Sequence, residues 1–271
     1  MFPFLDYPLD CRVSGPVFPP LKIIDETPDW IVVEKPALLQ IHPSKPDGPR
    51  TLWHALREVL AFEIANGGQV SIINRLDRET SGVVLVAKTA GAARRFGILM
   101  MRRKIAKEYL ALVWGWPERD RFEVNAPLAR QGAHGESRIY LKQCVHPAGA
   151  MARTIVQVEC RIARETSNGG RFSLVRVFPE TGRMHQIRVH LAHAGHPVVG
   201  DKIYGPDEEN YLRFIETGWT DELARTLLLP RHALHSAALR IDDAELQAEW
   251  RAPLPDELAA WLDEGVQGSR Q

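Results

Sequence analysis

Asp77 sits in a charged string, Arg75-Leu76-Asp77-Arg78-Glu79-Thr80-Ser81-Gly82, between two apolar runs, Ile72-Ile73 and Val83-Val84-Leu85-Val86-Ala87. A carboxylate so placed suits nucleophilic or acid-base work. Arg75 and Arg78 can hold it ionised, while Thr80, Ser81 and Gly82 can fix the turn. The flanking runs are short, β-branched and bounded by polar residues or glycine, which predicts two buried strands gripping the loop between them. On residue types alone the string also suits a solvated turn, because most loops are polar.

Glu79 supplies a second carboxylate. Two residues from Asp77 on an extended segment, it would lie about 6.5 to 7 Å away along the backbone, within reach of an inverting glycosidase pair. His185, His190, His193 and His196 invite a metal reading. Their spacing argues against it: His185 and His190 would face different sides of a helix, and no carboxylate completes a ligand set.

With Asn74 before it, the string resembles the His-Arg-Leu-Asp-x-x-Thr-Ser-Gly signature of the RluA family of RNA pseudouridine synthases, Asn74 standing in place of the usual His. Further blocks agree. Lys107-Glu108-Tyr109 is similar to the family's Lys-x-Tyr segment, and Thr181-Gly182-Arg183-Met184-His185-Gln186-Ile187-Arg188-Val189-His190 to its Thr-Gly-Arg-x-His-Gln-Ile-Arg-x-His block. Lys35-Pro36 to His42-Pro43 resembles another segment, with Leu38 where the family commonly has glycine. Gly195-His196-Pro197, Gly200-Asp201, Tyr204-Gly205 and Leu234-His235 follow in the family's order, and the likeness runs from about Leu21 to about Pro255.

The resemblance implies a single α+β catalytic domain with a mixed, largely antiparallel central sheet flanked by helices and loops. It implies a uridine in structured RNA, ribosomal or transfer, as substrate, and no metal, nucleotide or redox cofactor. Asp77 would be the nucleophile, attacking the ribose C1′ or the uracil ring, or else a base on the sugar; the sequence leaves these open. Tyr109 would stack on the base and assist proton movement, and Arg188 would pair with Asp77. The uridine must leave its stack, and Arg75 is suited to fill the vacated space. His42, Arg78, Arg183 and His185 are the other candidate RNA contacts, although His42 equally suits closing its own loop. Asn74 is expected to support the Asp77 loop through its amide. The competing functions are a glycoside hydrolase using Asp77 with Glu79, and a retired synthase that only binds RNA.

Composition allows all of this without demanding it. The 271 residues, 45% of them hydrophobic, suffice for one large domain or two small ones, and 34 basic residues balance 34 acidic ones. An RNA surface must therefore come from local clustering. Cys11, Cys144 and Cys160 are widely spaced, as reduced thiols would be. No apolar run approaches the ~18 residues of a membrane span. The expectation is a soluble, cytoplasmic, monomeric protein without membrane contact.

The elements follow from punctuation and periodicity. Prolines 3, 8, 16, 19 and 20 predict an irregular leader over residues 1–20. That leader is too short for the small RNA-binding domain that often precedes this family's core, so RNA selection is expected to rest on a catalytic domain at 21–265, followed by a tail at 266–271. Strands are expected at 21–25, 30–34, 105–114, 122–124, 137–141, 154–162, 172–178, 233–241 and 245–250. Helices are expected at 51–62, at 90–103, at 181–194 with Thr181 as its cap, and after Pro255. Arg94, Arg95, Arg102, Arg103 and Lys104 gather charge on the second helix, as phosphate contacts or as a solvated face. Residues 206–230 carry no clear pattern.

Overall fold

The computed structural model describes residues 21–45 and 47–267. The expected leader at 1–20 and the tail from 268 lie outside the described residues.

The β-branched runs form strands largely as expected. β1 (Lys22–Glu26) and β2 (Trp30–Lys35) form a hairpin, and β3 (Ser71–Ile72) and β4 (Ser81–Ala87) bracket the charged loop. They are followed by β5 (Ile105–Trp114), β6 (Arg121–Asn125), β7 (Leu128–Arg130), β8 (Gln143–Val145), β9 (Arg153–Thr166), β10 (Gly169–Pro179), β11 (Leu234–Asp242) and β12 (Gln247–Arg251). The α-helices are α1 (Leu52–Val59), α2 (Ala61–Ala65), α3 (Ala90–Met101), α4 (Gln186–His193), α5 (Glu209–Thr217), α6 (Asp221–Leu227) and α7 (Asp256–Gln267).

Ten strands make one sheet in the order β1-β2-β4-β11-β5-β10-β9-β6, with β12 added to β11 and β3 to β4; β7 and β8 pair separately. The β4–β11 pair is parallel and the other described pairs are antiparallel. This is the mixed, largely antiparallel α+β sheet expected.

β4 is buried on both faces, which is why it reads as an unbroken apolar run. Val84 and Val86 join a core completed by Leu52 and Leu56 of α1, Ile187 and Leu191 of α4, and Leu258 and Trp261 of α7. Val83, Leu85 and Ala87 point the other way, to Ala92, Phe96 and Leu99 of α3. At the start of β4, Gly82 has φ +115, and a Cβ there would lie 2.1 Å from the Ser236 carbonyl oxygen of β11. Only glycine lets the two backbones pair at this point.

Three expectations need correction. The helix from Thr51 breaks at Leu60, giving α1 and α2 in place of one helix. Residues 137–141 form turns, not a strand. There the Ser137 hydroxyl donates to the Ile139 carbonyl and accepts from the Ile139 N–H, so local bonds replace a ladder. The helix expected from Thr181 starts at Gln186, because His185 adopts the left-handed conformation (φ 55). The Gln186 side chain holds the preceding loop instead: its Oε1 accepts from the Thr181 hydroxyl and the Arg183 N–H, and its Nε2 donates to the Arg153 carbonyl and Thr154 Oγ1.

Candidate active site

The loop between β3 and β4 is tied down at nearly every residue. Asn74, buried, donates from Nδ2 to the Val83 carbonyl (3.0 Å) and accepts at Oδ1 from the Leu85 N–H (2.8 Å), so its amide continues the ladder of β4 as a backbone would. The Thr80 N–H donates to the Asp77 carbonyl (3.1 Å), the Thr80 hydroxyl bonds His232 Nε2 (2.7 Å), and the Ser81 hydroxyl bonds His235 Nδ1 (2.9 Å). Lys35, fully buried, donates to the carbonyls of Pro36, Leu39 and Arg78. Burial, and next the Arg231 guanidinium, hold its pKa down to about 7. The turn it braces contains Leu38 at φ 66, a conformation that favours the glycine common at this position in the family.

Glu79 belongs to this scaffold. Its Oε1 accepts from Lys202 (2.8 Å) and its Oε2 from the His232 N–H (3.0 Å). A carboxylate so engaged is poorly placed to activate a water, which removes the main support for a glycosidase pair with Asp77.

Asp77 itself is 30% exposed at its side chain, and Arg188 Nη1 from α4 donates to its Oδ2 at 3.0 Å. Arg188 is buried. Its Nε and Nη2 form a two-pronged bond to Asp201 Oδ2 (2.6 Å) and Oδ1 (2.9 Å), and Asp201 Oδ1 also accepts from the N–H groups of Ile203 and Tyr204. Burial works against the charge of each, but their mutual attraction wins: Arg188 is held above the ordinary arginine range and Asp201 well below the ordinary carboxylate range. Arg188 is thus a fixed cation with one arm left for Asp77. The Tyr204 ring lies 5.0 Å from the guanidinium, and its hydroxyl bonds His185 Nδ1 (2.8 Å). Tyr109, on β5, is buried beside this cluster. Burial first, and then the Asp77 charge, raise its phenol above the usual value, so it stays protonated at neutral pH.

Asp77, Tyr109, Arg188 and His185 therefore come together, from a loop, a strand and both sides of the start of α4. Arg75, Arg78, His42 and Arg183 are exposed, and the Arg75 charge is felt at His42, which burial and that charge both lower. Arg78 Nε donates to the Leu38 carbonyl (3.3 Å). The basic residues of α3 are not brought here, since α3 packs on the face of the sheet opposite α4. His190, part of the histidine run, is spent on structure: its ring bonds Thr154 Oγ1 and the Ala126 carbonyl. Asp201 and Lys35 carry functions that sequence reasoning did not assign. Their signals were present, in the Gly200-Asp201 and Lys35-Pro36 blocks, but only the fold shows what each holds.

Residues 29–193 match the model of the RNA pseudouridylate synthase family. The chain belongs to that family. It is 35% identical over 248 residues to the ribosomal large subunit pseudouridine synthase D of Nitrosomonas europaea, covering 90% of this chain and 64% of the relative. Against the protein of the same name from Salmonella typhimurium it is 34% identical, covering 90% of this chain and 70% of the relative. Among solved structures, human RNA pseudouridylate synthase domain containing 1 superposes with a TM-score of 0.65 at 27% identity, over 92% of this chain and 94% of that one. Human RNA pseudouridylate synthase domain containing 4 shares the fold, with a TM-score of 0.68 at 22% identity over 90% and 93% of the two chains.

Proposed function

We propose that this protein isomerises a uridine in structured RNA to pseudouridine. The C1′–N1 bond breaks, the base turns, and a C1′–C5 bond forms; N1 gains a proton and C5 loses one, so the reaction is redox-neutral and calls on side chains alone. The observation that carries the proposal is the 3.0 Å contact of Arg188 Nη1 with Asp77 Oδ2. A part-exposed carboxylate is held by a buried guanidinium that is itself locked by Asp201, which keeps it aimed. Asp77 is assigned as the nucleophile, on C1′ or on the ring, or as the base on the sugar. Tyr109 offers a ring face for the uracil and, as a phenol that stays protonated, a proton donor.

Arg75 takes the place of the flipped nucleotide, and His42, Arg78, Arg183 and His185 contact the RNA. The names of the bacterial relatives favour ribosomal over transfer RNA. The domain at 21–265 works as a cytoplasmic monomer; among the described residues no helix is long and apolar enough to cross a membrane. The test is Asp77→Asn, nearly isosteric and lacking only the charge. It should bind RNA and melt like the wild type yet form no pseudouridine by carbodiimide mapping. Wild-type turnover in that variant would refute the assignment.

A further inference from the structure

Among the described residues Lys35, Lys88, Lys142 and Lys202 are largely withdrawn from water, and each is accounted for, Lys142 by its pairing with Glu208. Lys35 donates to three carbonyls, Lys88 pairs with Glu26 and Glu63, and Lys202 pairs with Glu79 and donates to the Pro230 carbonyl. Lys107 differs. Among the described residues no carboxylate, carbonyl or hydroxyl partners its ammonium, and burial alone pulls its pKa below the lysine value with no opposing charge to restore it. A partly desolvated cation with no protein partner costs stability, and nothing among the described residues offsets the cost.

Its position gives that cost a use. Lys107 lies in β5 two residues before Tyr109, so both side chains leave the same face of the strand, about 6.8 Å apart. Its Nζ sits 3.3 Å from the point where Gly182 would carry a Cβ. Gly182 is exposed and does not have a left-handed φ, so the backbone does not require glycine there. What the missing side chain does is leave the ammonium uncovered. Arg183, the next residue, is exposed as well, with Nε anchored on the Met151 carbonyl (3.2 Å).

We propose that Lys107 binds a backbone phosphate of the RNA, next to the nucleotide that occupies the Asp77–Tyr109 cleft, through the gap left by Gly182. The chemistry fits: an unpartnered ammonium is a point charge that a phosphate oxygen satisfies, and a base edge in the cleft would leave its own phosphate outside the acid-base cluster. The proposal rests on the RNA isomerase reading above.

The test uses the full chain and ribosomal RNA purified from cells lacking the gene, following both RNA binding and pseudouridine formation. Lys107→Gln should raise KM and Kd together and leave kcat near wild type. Losing one phosphate contact lowers the salt slope by about one, so its binding deficit should shrink about threefold between 50 and 200 mM salt. Lys107→Arg should restore binding. Gly182→Val, which covers the ammonium without removing it, should also weaken binding. Melting temperature should hold or rise in Lys107→Gln, because an unpaired cation has been removed. An unchanged KM and salt slope in Lys107→Gln would overturn the proposal, as would a loss confined to kcat. If the wild type binds this RNA but forms no pseudouridine, the isomerase reading fails while the salt slope still tests the phosphate contact.

Discussion

Asp201→Asn is the substitution that most directly probes how the cluster is built. The Asp201 side chain is fully buried and receives four hydrogen bonds, two from Arg188 and two from the backbone at Ile203 and Tyr204. An asparagine oxygen can keep the Oδ1 bonds. Its NH2 group must then face Arg188 Nε across the 2.6 Å that Oδ2 now spans, donor against donor. The guanidinium also loses its buried counter-charge, leaving Asp77, which is part-exposed and so the weaker partner. Removing one member of a buried pair costs about 3–5 kcal/mol. Against a total of about 5–15 kcal/mol that is a large share, worth roughly 6–20 °C in melting temperature for a chain of this size. Urea unfolding at neutral pH measures it. The double variant Asp201→Asn with Arg188→Met removes the stranded cation as well, and should be more stable than Asp201→Asn alone. A cost below about 1 kcal/mol, or a double variant as unstable as the sum of the singles, would show that Arg188 is not held as described.

Two further outcomes follow from single residues. Leu38 is 41% exposed at φ 66, so Leu38→Gly and Leu38→Ala lose the same packing but only glycine relieves the left-handed strain. The glycine variant should be the more stable by about 1 kcal/mol in urea unfolding; an alanine variant of equal stability would refute this. His232 is held well below 6.5, by burial first and then by the Arg188 charge. Because its folded pKa lies below the unfolded one, the unfolded chain takes up the proton first as pH falls. Stability is then full above about pH 6.5 and drops by about 1.4 kcal/mol per pH unit below it, until the folded pKa is reached. His185, His190 and His235 are lowered too and add with the same sign. His232→Gln should flatten the fall in urea midpoint between pH 6.5 and 5.5, and an unchanged slope would place the acid sensitivity elsewhere.

Asp77, Tyr109 and Arg188 were legible in the sequence because each stands in a short local string whose residue types and order carry the resemblance. Most strands were legible too, because a period of two and runs such as Val83 to Ala87 are properties of neighbours along the chain. Asn74 shows the limit: its amide was expected to support the loop, but the partners, the Val83 carbonyl and Leu85 N–H, appear only when β4 returns beside it. Thr181 carried a helix-capping signal that local propensity favours, and the Gln186 bonds to Arg153 and Thr154, residues from β9, overrode it.

What the sequence determined by itself is therefore the set of candidate reactive groups and most of the elements that carry them. Which carboxylate stays part-exposed beside Arg188 and which is spent on the scaffold was decided by the tertiary structure alone. Asp77 and Glu79 look alike two residues apart, yet Lys202 and the His232 N–H, 123 and 153 positions along the chain, claim Glu79, while Arg188 reaches Asp77 across 111. The physical reason is that burial and pairing set the state of a charge, and both are made by contacts between segments far apart in the chain, for which no neighbouring residue holds a record.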